Sequence, residues 1–226
     1  PKYIESVTQY IINTHKRKTF DKEYSALFAV SSIDAAIKYY ELFQKKKIAG
    51  EHDLRIATIF TYGANEDDEN AQDYLPDDES IISVLPSGHT RDKLESFIDD
   101  YNAMYGTKFS TKDSKLFEGY FKDNSKRLKE RERITFNDDK DRLDIVIVVN
   151  MMLTGFDAKK LNTLYVDKNL KHHGLIQAFS RTNRILGEKK SQGNILCFRN
   201  LKQATDDAIT LFSDKEAIEV VVMPEY

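Results

Sequence analysis

The run Leu143-Asp144-Ile145-Val146-Ile147-Val148-Val149 constrains this chain more than any other stretch. It is almost continuously apolar and β-branched, so it reads as a strand covered on both faces, the condition of a central strand in a parallel sheet. Shorter runs of the same kind follow the same logic: 26–30, 56–60, 163–167 and 195–198. Between them lie stretches with apolar residues at helical spacing. Asp34 to Lys46 carries Ile37, Tyr40, Leu42 and Phe43, with Ser31 and Asp34 as a capping box at its start. Thr90 to Tyr105 places Leu94, Phe97, Ile98 and Tyr101 on one face and stops at Gly106. Asp113 to Glu132 turns Leu116, Phe117, Tyr120 and Phe121 inward, Gln177 to Arg184 forms a short helix, and Ala204 to Phe212 a last one. Strand–helix alternation predicts an α/β fold with a central, mainly parallel sheet flanked by helices. Right-handed crossovers would then gather Ser31-Ser32, the Met151–Asp157 loop and the start of the Gln177 helix at the carboxyl ends of the strands.

Bulk properties limit the function classes. With 226 residues, 40% of them hydrophobic, the chain can bury one core, and residues of about 62–142 read as a helical and acidic insertion into it. Within that insertion, eight of the fifteen residues from Asn65 to Glu79 are acidic, so this part reads as a solvated loop. The formal net charge of −3 excludes a polycation that coats nucleic acid by charge alone, and any DNA contact must be local. A single cysteine, Cys197 in an apolar run, excludes an intrachain disulfide and a cysteine-rich zinc cluster and is expected to be a small buried hydrophobe. His172-His173 is expected in a loop, without the i, i+4 spacing of a helical metal pair. No apolar run approaches the length of a membrane span, and no signal peptide opens the chain. A start at Pro1 without a targeting segment points to a piece of a longer cytoplasmic polypeptide.

Chemistry concentrates in Gln177-Ala178-Phe179-Ser180-Arg181-Thr182-Asn183-Arg184. Two guanidiniums three residues apart fall on one face of a helix, and a planar, permanently charged fork suits a polyphosphate. In Leu153-Thr154-Gly155-Phe156-Asp157, a glycine permits positive φ or close approach of a ligand, and an aspartate two residues on accepts hydrogen bonds. Hydroxyls at Thr154, Ser31 and Ser32 are suited to phosphate-backbone contacts, although serines at a helix start also serve as caps. The basic cluster Lys126 to Arg133 fits either a DNA contact or a solvated helix face.

Taken in order, a strand followed by Ser-Ser and a helix, then I-V-V-N-M-M-L-T-G-F-D-A, L-N-T-L-Y-V-D-K-N-L and Q-A-F-S-R-T-N-R-I, resembles motifs IV, V and VI of superfamily 2 helicases and translocases. Within that superfamily the runs are most similar to the motor (R, or HsdR) subunit of type I restriction enzymes, over about Tyr24 to Phe212. The resemblance implies a second RecA-like domain, which supplies arginines to ATP bound by a first. No G-x-x-x-x-G-K-[ST] occurs, so the phosphate cradle and the Mg2+ ligands belong to the absent first domain. Asp77-Asp78-Glu79-Ser80 follows no apolar strand and does not read as the acidic magnesium motif.

Carried over residue by residue, Arg184 resembles the arginine finger on the γ-phosphate, and Arg181 assists it as a second catalytic arginine. Gln177 holds the segment in register or touches the nucleotide. Gly155 and Asp157 belong to the nucleotide-binding set, and Thr154, Ser31 and Ser32 to the DNA contacts. Ser180 stands where many superfamily 2 members have glycine, a mild departure between two small residues. The implied cofactors are ATP and Mg2+ in the intact protein. The implied partners are double-stranded DNA, the first RecA-like and nuclease domains of the same chain, and modification and specificity subunits. The fragment alone is expected to be inactive. Two other readings stay open: another superfamily 2 DNA or RNA translocase, and a non-catalytic interaction module whose arginines are structural.

Overall fold

The computed structural model describes residues 2–60, 88–131, 136–149, 151–153, 156–170, 172–182, 190 and 192–212. Its centre is a sheet of five strands: β1 (Ser25–Val30), β2 (Ile56–Ile59), β3 (Ile145–Val148), β4 (Leu161–Asp167) and β5 (Asn194–Cys197), in the spatial order β2-β3-β1-β4-β5. All four pairings are parallel, which bears out the α/β expectation. β1 to β4 are buried along their whole length, the environment that apolar, β-branched runs require. β5 is an edge strand and only half covered, so Cys197 is exposed rather than buried as the apolar run suggests.

A helix that the strand-centred reading omits, α1 (Lys2–Lys18), buries Val7, Thr8, Ile11 and His15. It lies beside α2 (Ile33–Ile48). On that face Phe28 and Tyr165 are register partners. Phe28 meets Tyr39 of α2 edge to face at 4.7 Å, and the His15 ring centroid lies 6.1 Å from that of Tyr165. α2 is capped by Ser32, whose hydroxyl accepts from Ala35 N at 3.1 Å, so the capping residue is Ser32 and not Ser31.

His15 is completely buried, and its Nδ1 lies 3.3 Å from the Tyr165 hydroxyl. Burial, reinforced by the nearby charges of Arg131 and Lys22, lowers its pKa to about 3. A histidine in the unfolded chain titrates near 6.5, so between these values the unfolded state carries the extra proton. Stability is therefore undiminished above pH 6.5 and falls as the pH drops, by roughly 1.4 kcal/mol per unit from this group. Urea denaturation at pH 7 and pH 5 is expected to show a loss of about 2 kcal/mol that His15→Leu removes. An unchanged pH dependence in that variant contradicts the assignment.

The connection from β2 to β3 carries α3 (Gly88–Tyr105), α4 (Ser114–Lys129) and the short α5 (Asp138–Asp141). The acidic stretch 65–79 lies outside the described residues. α3 packs on α2 through Tyr40 and Phe97, whose ring centroids are 4.2 Å apart. α4 starts at the Asp113 cap and reaches the sheet through the Tyr120 hydroxyl, which donates to Thr58 O at 2.8 Å. Phe117, Tyr120 and Phe121 point inward as expected, but Leu116 is exposed.

At the amino ends of the strands, charged groups lock the sheet. Asp144 is fully buried: its Oδ2 accepts from Arg55 N at 2.8 Å, and its Oδ1 lies 3.0 Å from Arg142 Nε. Ser25 Oγ donates to Leu143 O at 2.7 Å and accepts from Arg131 Nη1 at 2.7 Å, while Arg131 Nη2 donates to Lys22 O. These contacts redefine the basic cluster. Arg131 is buried, and Arg127 pairs with Asp123 at 2.8 Å while sitting 3.6 Å over the Tyr105 ring. Both therefore serve the fold, leaving Lys126 and Lys129 as the described surface cations of that cluster, with Arg133 outside the described residues.

Candidate functional site

The chain leaves β1 toward β2 and leaves β4 toward β5, in opposite directions across the sheet. Adjacent parallel strands whose connections diverge open a crevice at their carboxyl ends. Ser31-Ser32 follows β1 at this edge, ahead of the α2 amino terminus, whose first N–H groups and dipole favour an anion. Ser32 uses its oxygen as the cap acceptor and keeps its O–H to donate, and Ser31 is half-buried.

Asp167 closes β4 at the same edge and is buried. Its Oδ2 accepts from the Tyr39 hydroxyl at 2.6 Å, and its Oδ1 accepts from the Tyr3 hydroxyl at 2.8 Å and from Arg199 Nε at 3.0 Å. One carboxylate thus ties α1, α2 and the residue pair after β5 to the end of β4. Burial, then the bond to Asp167, pushes the Tyr3 phenol up to about 12, and the same causes raise Tyr39 further, so both remain neutral donors. Next to it, the buried Lys168 donates to Val149 O at 3.3 Å, linking the ends of β4 and β3. Asp167, Lys168 and Arg199 were not singled out from the sequence. The signal was the charged pair directly after an apolar run, at the carboxyl end of a parallel strand.

Beyond β3 the chain buries Met151, Met152 and Leu153. Met152 has φ 60°, a left-handed backbone that costs a non-glycine residue about 1–2 kcal/mol and marks a sharp reversal here. Thr154 and Gly155 lie outside the described residues. Phe156 is buried and Asp157 exposed.

The helix expected over Gln177 to Arg184 is instead α6 (His172–Ser180), which includes the two histidines expected in a loop. It begins near the carboxyl edge and runs back about 13 Å toward the strands' amino ends, as a parallel crossover must. Gln177 therefore lies well along the helix rather than at its start, and Arg181 follows it in a turn. Arg181 donates through Nε to Gln177 O at 3.0 Å, through Nη1 to Phe156 O at 2.5 Å and through Nη2 to Ser180 Oγ at 2.9 Å. One guanidinium bridges the end of α6 and the β3–β4 connection. Gln177 Oε1 is buried beside it with no hydrogen-bond partner among the described residues. Thr182 is fully buried against Gly193, where a Cβ would lie 2.5 Å from Thr182 Cβ and 2.6 Å from its carbonyl oxygen, so only glycine fits. Arg184 lies outside the described residues.

The site thus has two parts: a hydroxyl-lined helix terminus at the carboxyl edge, and an arginine-bearing turn at the far end of α6. Among the described residues no group of three or more His, Cys, Asp or Glu is placed to hold a metal ion, and no helix is long and apolar enough to cross a membrane.

Comparison with known proteins places this geometry in context. The family described as type I restriction enzyme subunit R domain 3 matches residues 22–200. Over 225 residues, all of this chain and 22% of the relative, the sequence is 44% identical to the type I restriction enzyme SauCOLORF180P endonuclease subunit of Staphylococcus aureus strain COL. It is 44% identical over 223 residues to the SsaAORF53P endonuclease subunit of Staphylococcus saprophyticus, covering 99% of this chain and 22% of the relative. A shorter match, 46% over 68 residues, covers 30% of this chain and 6% of the HindI endonuclease subunit of Haemophilus influenzae. The chain spans 22% of the length of the first two relatives.

Proposed function

This chain belongs to the type I restriction enzyme subunit R family, as its domain 3, and on that premise we propose that it is the second motor domain of the ATP-dependent, DNA-translocating and DNA-cleaving subunit. The observation that carries the reading is the Arg181 bridge from α6 to Phe156 O, because it joins the two segments that resemble motifs V and VI. In this reading Arg184 is the group that reaches the γ-phosphate and neutralises charge as the bond to the leaving group breaks. Arg181, with three donors engaged inside the domain, assists by fixing the end of α6 against the β3–β4 connection, ahead of the segment that carries Arg184. The unbonded Gln177 Oε1 fits an acceptor for a nucleotide hydroxyl or amino group, and Asp157 is exposed where it can serve the same cleft. ATP supplies the driving free energy once bound, and its Mg2+ is held by the first motor domain.

At the other end of α6, Ser31 and Ser32 at the α2 amino terminus bind the backbone of one DNA strand, and Thr154 is assigned to the same DNA contact. These contacts position DNA without reading its sequence. Because α6 spans the two parts, closure of the cleft onto the arginines displaces the DNA edge with it. The partners of this domain are double-stranded DNA, the first RecA-like and nuclease domains of its own chain, and the modification and specificity subunits, in the cytoplasm.

The test is ATP turnover with and without DNA, by the full-length subunit and by purified residues 1–226. DNA-stimulated hydrolysis is expected from the first and none from the second. Nucleotide-specific turnover by residues 1–226 alone contradicts a half-site.

A further inference from the structure

We propose that Lys190 is a positioning residue, a buried cation that fastens the far stem of the arginine-bearing segment to the connection between β3 and β4. The inference rests on the arginine-finger reading of Arg184. Lys190 is fully buried, and its Nζ donates to Lys159 O at 2.8 Å and to Leu161 O at 2.7 Å. On the near stem, Arg181 grips Phe156 O at 2.5 Å. Two cations, one on each side of residues 183–189, thus hold carbonyls within the same stretch, 156–161. The buried Thr182, pressed on Gly193, closes the near stem from the other side.

Packing alone does not call for an ammonium here. A lysine is almost never fully buried without strong compensation, because its charge must leave water, and an apolar side chain would fill the same space. What the ammonium adds is several directed donors on one compact charge. Charge-assisted bonds to two carbonyls fix where the backbone lies, as a neutral side chain does not. The stretch it holds leads from the loop after β3 into β4, so a shift there moves the arginine stem and β4 together.

The experiment uses the full-length subunit with DNA and the variants Lys190→Met, Arg184→Ala and the double variant. Lys190→Met is expected to lower kcat for ATP at least tenfold, with KM for ATP and half-saturating DNA within twofold of wild type. Lys190→Arg, which retains a cation with several donors, is expected to recover kcat to within about threefold. In the Arg184→Ala background, Lys190→Met is expected to produce no further loss, because residues that act as one unit are not additive. An unchanged kcat in Lys190→Met, or an equal loss in both backgrounds, overturns the proposal. If the methionine variant does not fold, Lys190→Gln, which keeps two donors without the charge, is expected to lower kcat threefold or more, and wild-type turnover overturns the proposal. If Arg184→Ala itself leaves turnover normal, the arginine-finger reading fails, and hydrogen exchange then decides on Lys190. Faster exchange in Lys190→Met confined to 156–161 and 177–182 supports the clamp; unchanged exchange there overturns it.

Discussion

Replacing Asp144 by alanine is expected to destabilise the chain by about 3–5 kcal/mol, the effect of removing one member of a buried ion pair. Asp144 is completely buried at the entrance to β3, while Arg142, 3.0 Å away, keeps only 18% of its side chain exposed. Burial raises the pKa of the Asp144 carboxyl, opposed by the Arg55 amide and by the charges of Arg142 and Arg131. Deleting the carboxylate removes the acceptor of Arg55 N and leaves Arg142, among the described residues, with only the exposed Asp53 carboxylate, 4.0 Å away. Against a typical domain stability of about 5–15 kcal/mol, such a loss leaves a large unfolded fraction. Asp144→Asn keeps an acceptor for Arg55 N and is expected to cost roughly half as much, since Arg142 still loses its buried counter-charge. Urea denaturation of the three proteins measures both. An alanine variant within 1 kcal/mol of wild type contradicts an anchoring role for Asp144.

The same residue shows where a sequence is readable and where it is not. The runs around Ile145–Val148 and Thr163–Val166 announce their strands because a strand buried on both faces tolerates little else. Asp144 sits inside the strongest of them, and a charge in a buried strand had to find a partner; that partner, Arg142, comes from outside any apolar pattern. The exposure of Cys197 is hidden in the sequence because an apolar run looks alike on a covered strand and on a half-covered one: β2 and β5 both lie at an edge, yet β2 is buried along its length and β5 is not. α1 was legible: Ile4, Val7, Ile11 and His15 have helical spacing, and the polar residues between them concealed it. α6 began earlier than expected because adjacent histidines and Gly174 are poor helix formers, and tertiary packing of Leu175 and Ala178 overrode them. Charge runs conceal depth, which is why Arg131 read as surface and lies buried against Ser25.

For the site, local motifs were legible and their relation was not. Gln177, Arg181 and Phe156 meet through a guanidinium bonded to two backbone carbonyls, and Arg181 lies in the turn after the helix rather than on its face. Ser31-Ser32 follows β1 at the carboxyl edge and Arg181 follows the end of α6, a separation fixed by the crossover and invisible in a motif list. Asp167 gathers Tyr3, Tyr39 and Arg199 from positions as far apart as the two ends of the described chain, and no local spacing reveals that.

On the proposed reading, Arg184 makes the one contact that exists only while the phosphoryl group is in transit. A finger of that kind is worth about 10³–10⁵ in rate. Its loss acts on the transition state alone, so kcat falls while KM for ATP and the affinity for DNA change little. Arg184→Lys is expected to recover only a small part, since a point charge does not reproduce a planar fork. The measurement is steady-state, DNA-stimulated ATP hydrolysis by the full-length subunit carrying Arg184→Ala, with ATP and DNA each varied through saturation. For an arginine finger, kcat is expected to drop about a thousandfold or more at nearly constant KM; turnover close to that of the wild type contradicts that role for Arg184.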